Sequence, residues 1–205
     1  MPAAPSDRPA RSPAGMRPEL PILECASEAD WEQWLEDNHA GSQGVWLKFA
    51  KQGAGPTTVT HAEALEGAIC FGWIDGQARR MDETYYLQRF TPRRPRSKWS
   101  QVNREKAERL TAAGRMREAG HAQISAAQAD GRWEAAYEPS SRATVPDDLR
   151  RALDAEPAAR AFFETLTGMR RYAFLYRLHH VKTPQARQRR IAGYIELLRE
   201  GRTLE

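Results

Sequence analysis

The chain has 205 residues, 40% of them hydrophobic and 28% charged, which suffices for one core, or one core with a smaller helical appendage. The formal net charge is +4, and the apolar runs are only a few residues long, which excludes a membrane-spanning helix and predicts no membrane insertion. Cys25 and Cys70 are too few for a disulfide framework and lack the spacing of a metal site, so we expect a reduced, cytoplasmic protein without a cofactor.

The chain begins with a tail rich in proline and alanine at residues 1–19. Small and charged residues bury too little apolar surface to offset the entropy lost on ordering, so this tail is expected to be disordered. It lacks the apolar segment of a secretory signal, and Met16 offers a second start site.

Helix and strand patterns alternate through residues 20–138. Ser27 with Asp30, and Thr60 with Glu63, are capping pairs that mark two helix starts. Apolar residues recur at helical spacing after each pair, and a period of two indicates strands elsewhere. The predicted elements are helices over about 28–38 and 60–72, a strand at 45–49, a hairpin of strands at 73–81 and 85–91, and helices over about 97–114 and 118–130.

The segment at 138–146, EPSSRATVP, is the clearest linker in the chain. Beyond it the pattern is entirely helical, with helix starts predicted at Pro146, at Pro157, near Met169 and at Pro184, and an end at Gly201. The sequence therefore predicts an α+β fold: a small antiparallel sheet packed with helices in a domain at 20–138, followed by an all-helical segment at 139–205.

Most catalytic and metal-binding signatures are missing from the sequence. There is no phosphate-binding loop, nucleophile elbow or dinucleotide fingerprint, and the five histidines lack metal-ligand spacing, so we predict no catalytic residue and no metal ligand. Asp75, which precedes Gly76, and Asp82, at the tip of the predicted hairpin, are interpreted as turn residues. A catalytic carboxylate is the alternative for both.

The strongest functional signal is a basic loop rich in arginine. Between Arg89 and Lys98 there are five basic residues and no acid, and Pro92 and Pro95 predict an extended backbone that separates the guanidinium groups. Arginine suits bidentate contacts to phosphate or carboxylate groups, and Trp99 could add a stacking surface. The candidate residues for binding an anion or a partner are Arg89, Arg93, Arg94, Arg96, Lys98, Trp73, Asp75, Tyr86 and Trp99.

A second interpretation of the loop remains open. A run of charges is commonly a solvated surface, and Trp99 could simply belong to the core. A further basic region between residues 165 and 195 holds seven Lys and Arg residues and no acid. One extended polyanion-binding surface requires this region to lie close to the loop.

Several long segments resemble the YdeI/OmpD-associated (OmdA) family of bacterial proteins, which is linked to protection against bacteriocins and other antimicrobial peptides. The resemblance is carried by DWEQWL, GVWLKF, FGWIDGQARRMD, YYLQRFTPRRPRSKWSQVN and YAFLYRLHHVKTPQARQRRIAGYIELLREGR, and extends over about residues 24–204. It implies a role in peptide resistance or stress response, and it supplies no catalytic residues.

Three functional hypotheses follow. The leading one is a cytoplasmic, non-enzymatic binding protein of this family, whose partner is an unknown anionic ligand or another protein. The second is a nucleic-acid-binding module that uses the same arginine-rich loop. The third is an enzyme acting on a small anionic substrate, with arginines as clamps and Asp75 as acid or base.

Overall fold

The computed structural model describes residues 19–204 and shows an α+β fold, as predicted. The predicted disordered tail lies almost entirely outside the described residues. The strands are β1 (Ile22–Glu24), β2 (Val45–Ala50), β3 (Trp73–Arg80) and β4 (Tyr85–Pro92). The helices are α1 (Glu28–Asn38), α2 (His61–Cys70), α3 (Gln101–Ala112), α4 (Glu118–Ala129), α5 (Asp147–Asp154), α6 (Pro157–Thr165), α7 (Gly168–His179) and α8 (Pro184–Arg199).

The chain divides into two compact units. In the described residues, the first unit comprises 19–68 and 73–92, and the second comprises 69–72 and 93–204. The predicted division between 20–138 and 139–205 stays a prediction.

The first unit contains a four-stranded sheet in the order β1-β2-β4-β3. Strand β4 pairs antiparallel with both β2 and β3, as predicted, whereas β1 pairs parallel with β2. The sheet is therefore mixed and not purely antiparallel. The sequence did not indicate β1, because three residues are too few to display an alternating pattern.

Helices α1 and α2 pack on one face of this sheet. Trp31 of α1 lies with its ring 5.4 Å from Phe90 of β4, and its indole N–H donates to the carbonyl of Ala64 in α2 at 2.9 Å. His61, at the start of α2, has its ring 6.3 Å from Phe90. Since Trp31 and Phe90 are fully buried, the core of the first unit lies between these helices and the sheet.

The second unit has two clusters of packed aromatic and aliphatic side chains. Near its start, Trp99 packs edge-on against Trp133 at 4.9 Å, and a parallel bridge joins Ser100 to Tyr137. The larger cluster lies among α5 to α8, where the ring of Phe163 lies 5.9 Å from that of Phe174. Its buried members are Leu149, Leu153, Ala159, Phe163, Leu166, Phe174, Leu175, Leu178, Ile191, Tyr194, Ile195 and Leu198.

Candidate anion-binding site

The backbone of the basic loop forms a hydrogen-bonded turn. The amide of Ser97 donates to the carbonyl of Arg94 at 2.8 Å, and the amide of Arg94 donates to the Ser97 hydroxyl at 3.0 Å. The amide of Arg93 donates to the carbonyl of Gly72 at 3.0 Å. The extended backbone that we predicted from Pro92 and Pro95 is therefore wrong for residues 94–97, because Ser97 supplies the side-chain contact that closes a turn.

Arg93 and Trp99 form the buried base of this loop. The Arg93 guanidinium lies 3.6 Å from the centre of the Trp99 ring, and the two residues are 5% and 2% exposed. Arg93 also donates to the carbonyl of Lys98 at 3.3 Å. Of the two interpretations left open for Trp99, the structure places its side chain in the core, and Arg93 covers one face of the ring.

Beside this base lies a cavity of about 370 Å³, which we call the basic cavity. It is lined by Arg96, Lys98, Trp99, Asp130, Gly131, Arg132, Ala135, His180 and Lys182. Two of the five predicted basic residues of the loop, Arg96 and Lys98, thus line the cavity, and Lys182 joins them from the second basic region. The sequence left open whether the two basic regions lie close together, and here Lys182 of the second region meets Arg96 and Lys98 of the loop.

The charges of the basic cavity are unbalanced. Arg132 donates to both oxygens of Asp130 at 2.8 and 2.7 Å, and it also donates to the carbonyl of Ser97 at 2.8 Å. This pair neutralises the one carboxylate in the cavity lining and attaches it to the loop. Within residues 19–204, none of Arg96, Lys98 and Lys182 forms a salt bridge. The charge of Lys182 acts on Asp130, but this carboxylate is already paired with Arg132, so positive charge is in excess around the cavity.

Two buried nitrogen atoms also belong to residues of the basic cavity. The indole nitrogen of Trp99 and the Nε2 atom of His180 are shielded from solvent and have no hydrogen-bond partner among the described residues. A buried polar group without a partner costs roughly 1–3 kcal/mol, so native proteins normally supply a partner or a bound ligand.

The ionisation of His180 and Lys98 reflects their burial. Burial, followed by the nearby charges of Lys98 and His179, lowers the pKa of His180 from 6.5 to about 4. Burial also lowers the pKa of Lys98. His180 also packs edge-on against Tyr176 at 4.5 Å. Because its pKa is about 4, the imidazole is neutral at neutral pH and can donate one hydrogen bond.

Asp75 lies in a different place from the one that we predicted. It belongs to strand β3, where it pairs with Phe90 beside a β-bulge, and not to a turn. Its carboxylate lies 3.3 Å from Nε2 of His61, a partner that the sequence did not indicate because the two residues are far apart in the chain. Both residues belong to the first unit, whereas the basic cavity is lined by the second. Asp82 does lie at the hairpin tip, where it accepts the amides of Thr84 and Tyr85.

The remaining candidate residues have separate environments. Trp73 is buried and donates to the carbonyl of His39 at 3.2 Å, and Tyr86 stacks on Phe49 at 5.2 Å. Arg89 pairs with Trp46 across the sheet, and Arg94 is exposed. The structure therefore brings together Arg96, Lys98 and Trp99, and a binding role for the other candidates stays a prediction. Sequence reasoning missed Arg132, and it did not assign His180 or Lys182 to the site.

No cluster of three or more His, Cys, Asp and Glu residues suited to a metal ion is present in residues 19–204, and no helix in this range is long and apolar enough to cross a bilayer. The side chains around the basic cavity have a chemistry that suits an anion.

Comparison with known families gives two separate matches along the chain. Residues 142–201 match the family model described as "Bacteriocin-protection, YdeI or OmpD-Associated", which confirms the predicted resemblance for the C-terminal part of the chain. Residues 23–123 match a different model, a domain of unknown function designated DUF8412. No curated protein and no solved structure matches the chain.

Proposed function

Because residues 142–201 match the YdeI or OmpD-associated family model, we propose that this chain is a cytoplasmic, non-enzymatic binding protein of that type. We infer that it holds a phosphate or carboxylate group of its ligand in the basic cavity. The observation that carries this proposal is the convergence of Arg96, Lys98 and Lys182 on one cavity, beside buried nitrogen atoms of Trp99 and His180 that have no partner among the described residues.

The electrostatics of the basic cavity favour an anion. Three cations around one cavity repel one another, and burial makes the charged form of Lys98 less stable. An anion reverses both effects, because each cation gains an opposite charge. Guanidinium and ammonium groups together match the oxygen-rich surface of a phosphate or a carboxylate.

The test is isothermal titration of the full chain with inorganic phosphate and, separately, with succinate. We expect Arg96→Ala and Lys182→Ala each to weaken binding by about tenfold or more, because a hydrogen bond to a charged group contributes about 1.5–3 kcal/mol. Arg94→Ala is the matched control, since Arg94 is exposed on the same loop and does not line the cavity. Binding that is absent, or weakened equally by all three substitutions, would contradict the proposal.

A protective role against antimicrobial peptides belongs to the same proposal. Bacteriocins and defence peptides are mostly cationic, and a basic cavity does not attract cations, so protection would act through an anionic ligand or partner. A deletion strain should become sensitive to such peptides, and Arg96→Ala with Lys182→Ala should fail to restore resistance. Co-purification of a cationic peptide with the wild-type protein would refute this route, and an insensitive deletion strain would refute the protective role.

A further inference from the structure

The sheet of the first unit has a second face, opposite to α1 and α2. Val45, Leu47 and Phe49 of β2 are buried toward the helices, and neighbours along a strand point to opposite sides of a sheet. Directly paired residues share a side, so the register assigns the rest of the outer face. Its members are Ile22, Glu24, Trp46, Lys48, Arg79, Tyr85, Leu87 and Arg89.

Aromatic rings and cations alternate across this outer face. Arg79 of β3 reaches over β4, and its guanidinium lies 4.2 Å from the centre of the Trp46 ring on β2. Lys48 lies 3.8 Å from the centre of the Tyr85 ring. Arg79 is exposed, and Trp46 and Tyr85 are half-buried, so the outer plane of the Arg79 guanidinium and part of each ring are accessible to a ligand.

The charge of the outer face is positive. Its one carboxylate, Glu24, binds Lys48 at 2.9 Å, which leaves Arg79 and Arg89 as excess cations. Gly76 gives Arg89 room, because a Cβ atom at Gly76 would lie 3.2 Å from the Arg89 Nε atom. The Nε atom of Arg89 is buried and has no hydrogen-bond partner in the described part of the chain.

We propose that this outer face binds single-stranded nucleic acid. Bases stack on aromatic rings and on guanidinium planes with little preference for sequence, while cations beside them contact the phosphates. Trp46, Arg79 and Tyr85 supply the flat groups on neighbouring strands, and Arg89 supplies a cation among them. A double helix hides its bases and offers only phosphates, so the surface favours a single strand. These residues are distinct from those of the basic cavity, so this inference does not depend on the proposed function.

The test is fluorescence anisotropy of the full chain with a labelled oligothymidylate of about 20 nucleotides, which exceeds the roughly 4–16 nucleotides that one sheet platform covers. Trp46→Leu should weaken binding about 5- to 100-fold, as expected for the loss of one stacked base. Arg79→Ala should weaken binding and reduce the slope of log affinity against log salt by about 0.7, the share of one phosphate contact. Arg79 is exposed, so this variant keeps the test valid if Trp46→Leu is found by circular dichroism to unfold.

Arg151→Ala is the matched control, since it removes one exposed cation from α5 and leaves the sheet unchanged. The proposal is supported if the sheet variants weaken binding and the control does not. It is overturned if no oligonucleotide binds at low salt, if a duplex of equal length binds as tightly, or if Arg151→Ala has the same effect as Arg79→Ala. It is also overturned if only Arg96→Ala and Lys182→Ala reduce the affinity, or if the chain binds anionic phospholipid vesicles and no oligonucleotide.

Discussion

Adjacent arginines of one loop have different physical roles. Arg93 is buried on Trp99, whereas Arg94 is exposed and Arg96 lines the basic cavity. A buried guanidinium that stacks on an indole mainly stabilises the fold, and an exposed arginine contributes little. The proposed anion-binding role therefore applies to Arg96 and not to the cluster as a whole.

His180 makes stability depend on pH. Its folded pKa of about 4 lies below the ordinary value of 6.5, so the unfolded chain binds the proton more tightly and the free energy of unfolding decreases as pH falls from about 6.5 to about 4. Nuclear magnetic resonance titration should show a neutral imidazole at pH 6. In urea unfolding, His180→Phe should remove part of this pH dependence, and the exposed His121→Ala is the control. An unchanged pH dependence in His180→Phe would contradict this assignment.

At the scale of single residues, the sequence predicted which residue types cluster along the chain better than it predicted which side chains meet in the structure. The density of arginine in the loop was visible, and so were Lys182 and His180 as members of a basic helical region. Their meeting with Arg132 was not predictable, because it depends on packing between residues that are distant in the chain, such as Arg132 and Ser97, which are 35 positions apart. Burial of Arg93 was not predictable either, because the local sequence around an arginine that stacks on a ring does not differ from that around a solvated arginine.

Helices and strands were predicted more reliably, because their signals are local. The Ser27–Asp30 capping box is present as predicted, and Thr183 caps α8 through the amide of Ala186 at 3.3 Å. Strand β1 was missed, and with it the parallel pairing that makes the sheet mixed. Three residues are too few to show an alternating pattern. The backbone hydrogen bond from the amide of Trp46 to the carbonyl of Pro21, which extends this pairing, cannot be recognised in the sequence.

Two glycines inside helices should respond oppositely to substitution by alanine. At Gly120 of α4, a Cβ atom would lie 2.3 Å from the carbonyl oxygen of Cys70 and 2.4 Å from the sulfur of Met116. Since the Cys70 oxygen belongs to the backbone, the overlap forces a shift, and Gly120→Ala should lower the free energy of unfolding by about 1–3 kcal/mol. At Gly193 of α8 nothing lies within 4 Å, so Gly193→Ala should raise it by about 0.5–1 kcal/mol.

Urea unfolding of both variants and the wild type measures these changes. Gly193→Ala is the matched control, because both substitutions add one methyl group to a helix. If Gly120→Ala and the wild type are half-unfolded at the same urea concentration, α4 does not approach the end of α2 as closely as the structure indicates.

On the scale of the whole molecule, the helical core is self-contained. All twelve buried residues of the core around Phe163 lie between Leu149 and Leu198, within the predicted segment 139–205 and within the family match at 142–201. The compact units instead divide the chain after residue 92, which groups α3 and α4 with these helices. The two boundaries make different predictions for isolated fragments.

We expect residues 139–205 to fold alone, because the fragment keeps its entire core. It loses the hydrogen bond from the Tyr172 hydroxyl to the carbonyl of Glu138 at 2.6 Å, and the ring contact of Tyr176 with Tyr137 at 4.9 Å. Each loss costs about 1 kcal/mol, so the fragment should melt cooperatively but less stably than a fragment of residues 93–205. Thermal melts by circular dichroism compare the two.

The substitution Phe163→Ala tests whether the core of the 139–205 fragment is packed as in the native structure or is a molten globule. Phe163 is 2% exposed and packs edge-on against Phe174, so its loss should cost about 3–5 kcal/mol and unfold the shorter fragment. A molten fragment would lack specific packing and would show little response to the same substitution. If residues 139–205 stay unfolded while residues 93–205 fold, the helical core depends on α3 and α4. The boundary between folding units then lies near residue 92, and the part that matches the YdeI or OmpD-associated family is not an independent domain.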